Sequence, residues 1–153
     1  MKAADIMTRE VEVVRPEDSI QKAAMIMDKL NVGFLPVFDG KRIVGVITDR
    51  DIAVRAVSAD LSPNMTNVGD VMTEEVHYCL ESDAIDDVVK HMIDTQIRRL
   101  LVFTRDNQLV GVVSLGDIAT HVGEHAVAAA LRGISEPSQP DRPSKSISAS
   151  LPR

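Results

Sequence analysis

The stretch GVITDRDIA, Gly45 to Ala53, returns sixty-six residues later as GVVSLGDIA, Gly111 to Ala119. Each copy reads glycine, two β-branched apolar residues, a hydroxyl, two variable positions and then Asp-Ile-Ala. An apolar run that ends in a hydroxyl, with an acid three residues on, reads as a strand passing into a helix. Thr48 and Ser114 are the expected helix caps, with Asp51 and Asp117 in the first turns.

Working outward, the likeness extends well beyond the string. At an offset of 65, Asp5, Met7, Thr8, Glu10, Val11, Asp18 and Ile20 meet identical partners at Asp70, Met72, Thr73, Glu75, Val76, Asp83 and Ile85. Met27 meets Met92, and LPVF (Leu35 to Phe38) meets LLVF (Leu100 to Phe103). One residue is inserted in the second copy, after which Val44/Val110 to Ala53/Ala119 keep step. The seventeen identities over about fifty positions are nearly all apolar or at turns, so the chain is an internal duplication.

Both copies carry the same local signals. Val11–Val14 and Val76–Cys79 read as short strands, followed by N-cap candidates in Pro16-Glu-Asp-Ser19 and Glu81-Ser-Asp83. Ile20, Ala23, Ala24, Met27 and Leu30 have helical spacing, as do Ile85, Val88, Val89, Met92 and Ile93. Phe34–Phe38, a turn at Asp39-Gly40 and Ile43–Thr48 form a hairpin pattern. Leu100–Phe103, Arg105-Asp-Asn107 and Leu109–Ser114 repeat it, and a helix follows each. The unit is β-α-β-β-α, which makes the fold class α/β, with the two repeats packed pseudo-symmetrically as one module. Residues 1–60 are the first repeat and 66–125 the second. Ser58 to Asn67 links them, and 126–153 hold a short Ala-rich helix and then a Ser/Pro-rich tail expected to be disordered.

Composition narrows the function classes. In a chain of 153 residues, each half would bury only roughly 60% of its surface if it folded alone, so the halves must share a core. No apolar run reaches the ~18–20 residues of a membrane span, and the N-terminus lacks a signal-peptide pattern. With one cysteine no intramolecular disulfide is possible, and the expected location is cytoplasmic. A net charge of −6 with no Trp and one Tyr argues against a nucleic-acid partner.

Tandem units of this kind, each with G-h-h-[ST]-x-x-D (h apolar) at its last strand–helix junction, resemble the cystathionine-β-synthase (CBS) domain family. Two such units form a CBS pair, or Bateman module. DIMT and DVMT at the repeat starts, VGFLPVFD and IRRLLVFT after the first helices and the two opening strings carry the resemblance, which covers Ala3 to His121.

The resemblance implies an adenosine-bearing ligand (AMP, ADP, ATP or S-adenosylmethionine) in clefts between the repeats. Asp51 and Asp117 would hold ribose hydroxyls, and Thr48 and Ser114 would contact phosphate. Such an acid suits a vicinal diol, and the helix start beside it suits an anion. The same residues also serve as caps that need no ligand. Family geometry sets Thr48 and Asp51 against Thr73, Val76, Ile97, Arg98 and Arg99. It sets Ser114 and Asp117 against Thr8, Val11, Val13, Val32, Gly33 and Phe34. The Arg98-Arg99 wall makes the Asp51 site the expected one for a charged nucleotide, which Arg50 and Arg55 could assist, though they are expected to face solvent.

Enzyme patterns are weak by comparison. HVGEH, His121 to His125, spells H-x-x-E-H but has no third zinc ligand downstream, and no metal site is expected. Asp49 and Asp51 point different ways on a helix, Cys79 has no base partner beyond His77 two residues away and reads as a core strand residue, and no P-loop or GxGxxG occurs. The expected function is a non-catalytic adenine-nucleotide sensor, associating as a homodimer through its helices and acting on an effector protein. The alternative is a dimerisation scaffold whose ligand sites are vestigial.

Overall fold

The computed structural model of the chain describes residues 1–137. The first repeat contains α1 (Ala3–Ile6), α2 (Ile20–Leu30), β1 (Phe34–Phe38), β2 (Ile43–Thr48) and α3 (Asp49–Asp51), which runs on as a π-helical segment, Ile52–Val57. The second contains α4 (Val68–Val71), β3 (Tyr78–Leu80), α5 (Ile85–Thr95), β4 (Arg99–Phe103), β5 (Leu109–Ser114) and α6 (Leu115–His121), with α7 (Glu124–Ser135) appended. The expected tandem α/β fold is present. The tail expected to be disordered lies outside the described residues from 138 onward.

The hairpins match residue for residue. Phe34 pairs Thr48 through to Phe38 with Ile43, and Arg99 pairs Ser114 through to Phe103 with Leu109, each with an irregularity at the last step. The first strands do not match. β3 begins at Tyr78, not Val76, and pairs in parallel with β4. The strand expected at Val11–Val14 is reduced to one bridge, Val14 to Val37. Proline explains the difference, because the Leu101 N–H donates to His77 O (3.1 Å), whereas Pro36, at the equivalent position of β1, has no N–H to give.

The helix caps differ as well. Ser19 caps α2, accepting from Lys22 N at 3.1 Å. The cap of α5 is Ala84, one residue beyond the expected stretch. Asp83 instead accepts from Leu80 N at 2.8 Å. Both helices end in a left-handed residue, Asn31 and Gln96, each at φ 54°.

The two cores do not follow the two sequence repeats. Ala3, Ile6 and Met7 are buried with Val88, Met92, Leu100 and Ile118 of the second repeat. Val68 and Val71 are buried with Ile20, Leu35 and Ile47 of the first. Backbone bonds fix this exchange: Ala3 N to Asp83 O (2.9 Å), and Val68 N to Asp18 O (2.8 Å). Each repeat therefore places its opening helix in the other's core, which is how two marginal halves become one unit.

Candidate functional site

The repeated string builds the seam between the repeats. Val46 and Thr73 exchange both backbone hydrogen bonds (2.9 and 2.8 Å), and Thr8 and Val112 do the same (2.8 and 2.9 Å). The glycine that opens each string makes this approach possible. A Cβ on Gly45 would lie 2.7 Å from Thr73 O, and one on Gly111 would lie 2.7 Å from Met7 Sδ and 2.8 Å from Thr8 O. Met-Thr at each repeat start and Gly at each string are two halves of one contact.

The hydroxyl and the acid close that contact as a capping box. Asp51 N donates to Thr48 Oγ1 (3.0 Å), and Thr48 N returns to Asp51 Oδ2 (3.1 Å). In the second copy Asp117 N donates to Ser114 Oγ (3.1 Å) and Ser114 N to Asp117 Oδ2 (2.8 Å). These reciprocal bonds satisfy backbone donors at the helix starts and set both carboxylates at the seam.

Beyond the box the two acids diverge. Asp51 is only 8% exposed, and the Thr73 hydroxyl donates to its oxygens at 3.1 and 3.2 Å. Arg55 comes within 4.0 Å of it while donating to Val71 O (3.1 Å) and Met72 O (2.7 Å). Arg55, expected at the solvent face, thus ties the π-helical segment to the start of the second repeat. Among the described residues Asp117 has no such partner from the first repeat. Its extra bond comes from its own cap, Ser114 Oγ, at 2.7 Å.

Two clefts flank the seam. The first, about 550 Å³, is lined by Thr48, Thr73, Ile97, Arg98 and Arg99 as expected, and by Glu75, His77, Gln96 and Phe34 as well. The second, about 270 Å³, brings Ser114 and Asp117 together with Thr8, Val11, Val32, Gly33 and Phe34, with Glu10, Glu12, Asn31 and Arg99 added. Three expectations are corrected. Asp51 sits behind Thr48 and Thr73 rather than on the cleft wall. Val13 and Val76 line a different cavity. Arg99 and Phe34, equivalent positions of the two repeats, line both clefts, so the cationic wall is not confined to one.

Extended-chain geometry explains which residues were missed. Side chains alternate along an extended segment, so Thr8, Glu10 and Glu12 share one side, and so do Thr73, Glu75 and His77. Val13 and Val76 fall on the other. The matched Glu10/Glu75 pair, two residues after each threonine, was the available signal. The first cleft faces Arg98 and Arg99 with one acid, Glu75, whose Oε1 lies 3.4 Å from His77 Nε2. The second faces Arg99 with three, Glu10, Glu12 and Asp117.

His121 and His125 are not presented by one helix. α6 ends at His121 and α7 starts at Glu124, while His121 Nδ1 lies 2.8 Å from Asp117 O. Among the described residues no group of three or more His, Cys, Asp or Glu is placed to hold a metal ion, and no helix is long and apolar enough to cross a membrane.

An interlocked tandem α/β pair with a capping box and a cleft on each side of its seam defines a paired-repeat architecture. The chain belongs to the CBS domain family, whose model matches residues 3–57 and 68–124. It is 33% identical over 136 residues to hypoxic response protein 1 of Mycobacterium tuberculosis, spanning 88% of this chain and 94% of that one. It is 38% identical over 132 residues to the CBS domain-containing protein YhcV of Bacillus subtilis, spanning 86% and 93%. The solved structure of hypoxic response protein I, which carries two coordinated zinc ions, aligns at a TM-score of 0.69 over 80% of this chain and 99% of that one, with 32% identity. The CBS pair of protein MJ0100, in complex with 5-methylthioadenosine and S-adenosyl-L-methionine, aligns at 0.69 over 78% and 94%, with 28% identity.

Proposed function

We propose that the chain is a non-catalytic regulatory module whose clefts take adenosine-bearing ligands and whose two repeats change their relative setting when they do. The observation that carries this reading is that each cleft has walls from both repeats. A ligand that bridges them favours one relative orientation by its difference in affinity between orientations. The MJ0100 pair, of the same fold, holds two adenosyl compounds.

The clefts suit different members of that class. Arg98 and Arg99 against a single Glu75 favour a phosphate-bearing ligand, AMP, ADP or ATP, in the first cleft. Glu10 and Glu12 disfavour one in the second. There Asp117 is offered to a ribose diol and an uncharged or cationic adenosyl group such as S-adenosylmethionine is accommodated. Ligand at the first cleft must compete with Thr73 for Asp51 or leave that bond in place.

The first repeat also leaves Met25, Val54 and Val57 between 47% and 68% exposed, which supports a homodimer built on its helices. Sedimentation velocity of the parent and of Met25→Glu/Val57→Glu tests it. A dimer is expected, and the double variant should be monomeric.

Calorimetric titration of ATP, AMP and S-adenosylmethionine into the parent, Asp117→Ala and Arg98→Ala tests the ligand reading. S-adenosylmethionine binding should be lost in Asp117→Ala and kept in Arg98→Ala, and nucleotide binding the reverse. Heat from none of them, with no rise in Tm at millimolar ligand, sinks the reading and leaves the dimerisation scaffold.

A further inference from the structure

A third cavity, about 500 Å³, lies at the opposite pole of the seam. The clefts open at the Phe34/Thr48 and Arg99/Ser114 ends of the hairpins. This cavity is framed by the other ends, Phe38/Ile43 and Phe103/Leu109. At ~3.3 Å per residue the five-residue strands separate the poles by roughly 15 Å. Neither capped acid reaches it.

Its apolar lining is shared by equivalent positions, Phe38 with Phe103 and Val13 with Tyr78. Tyr78 packs edge-on against Phe103 with ring centres 5.7 Å apart, yet stays 56% exposed. The cationic lining is one-sided. Arg9, Lys41 and Arg42 come from the first repeat, where the second has Glu74, Asn107 and Gln108 at the equivalent positions. No carboxylate lines the cavity, and none of the three cations is ion-paired among the described residues. Asp39, nearest in sequence to two of them, is turned to the backbone, accepting from Lys41 N and Arg42 N at 2.8 and 2.9 Å.

In a chain of net charge −6, three cations around an aromatic floor form a local reversal of field. A volume of this size is that of a small-molecule pocket. We propose that this polar cavity is a third ligand site, taking a small organic anion with a planar ring. The ring lies on Phe38, Phe103 and Tyr78, and a carboxylate or phosphate meets Lys41, Arg42 and Arg9. Its wall continues into the second cleft, since Val11 lines both.

The test is a fluorescence titration of 8-anilinonaphthalene-1-sulfonate, a ring-bearing anion, into the full chain. One equivalent is expected to bind with enhanced emission, about tenfold or more weakly in Lys41→Glu/Arg42→Glu. The same binding should persist in Asp117→Ala and in the presence of saturating S-adenosylmethionine, which separates this site from the adenosyl clefts. Displacement by phenyl phosphate assigns the head group to phosphate, and displacement by phenylacetate assigns it to carboxylate. Displacement by neither overturns the proposal, as does a dye affinity unchanged by the charge reversal or abolished by Asp117→Ala. Circular dichroism of the exposed Lys41→Glu/Arg42→Glu variant confirms that it folds.

Discussion

The two repeats share a pattern and differ in what covers it. In the second, α7 lies on α5 and α6: Ala130 and Ile134 are buried, and Gly133 approaches Ile93 so closely that a Cβ would stand 2.6 Å from its Cγ2. In the first, no element of the described chain plays that part, and Met25, Val54 and Val57 face outward. The second repeat has Lys90, Thr120 and Gly123 at those positions. Duplication supplied one seam and one pair of capping boxes. The divergence afterwards made one helical face self-covered and left the other apolar and open, which is how a symmetric module acquires a directional surface.

The most severe way to break this difference is to end the chain at Val122. Losing the burial of Ile134, Val127 and Ala130 should cost about 3–5 kcal/mol against a chain ending at Pro137, read by urea unfolding. The truncated protein should also self-associate more, because both faces would then be open. An unchanged midpoint would mean that α7 is ornamental.

The seam is where the repeats should behave alike. Gly45→Val and Gly111→Val each force a side chain into the other repeat's Met-Thr backbone. Each should cost about 2–3 kcal/mol, equal within error, by urea or thermal unfolding. A large inequality would show that the seam is not symmetric in energy. The acids should differ. Asp51→Ala removes a cap and the acceptor of the half-buried Thr73 hydroxyl, at about 2 kcal/mol, while Asp117→Ala removes little beyond the cap, at about 1 kcal/mol. Equal costs in the same assay would refute the divergence described at the two boxes.

Much of this was legible from residues. The hairpins, the caps at Thr48 and Ser114 and the helical spacing of α2 and α5 follow from local rules that act within a few residues. Even the missing first strand was written in LPVF against LLVF, because a proline cannot donate to a parallel neighbour. The exchange of α1 and α4 between cores was not legible, because both helices carry the same apolar pattern and each fits either core in composition. Nor was the side of the extended segments that faces the clefts. That side depends on where the seam bridges fall, and it moved Val13 and Val76 to the third cavity. The covering of one repeat by α7 is a tertiary choice, since an Ala-rich amphipathic helix reads the same whether it docks on its own chain or a partner's.

The smallest expected effect concerns one pair of equivalent core positions, Val14 and Cys79, both buried. Burial, with the Asp83 carboxylate adding to it, pushes the Cys79 thiol up to about 12. The native thiol should therefore resist Ellman's reagent at pH 8 and react fully once the chain is unfolded, where a thiol titrates near ~8.5. Between those two values the unfolded chain releases a proton that the folded one keeps. Stability should hold below about pH 8.5 and fall as pH rises toward 12. Cys79→Val, which gives the second repeat the residue of the first, should shift stability at pH 7 by less than about 1 kcal/mol. It should also flatten the alkaline limb of a urea-midpoint-against-pH curve, and an alkaline limb identical in parent and variant would place the titrating group elsewhere.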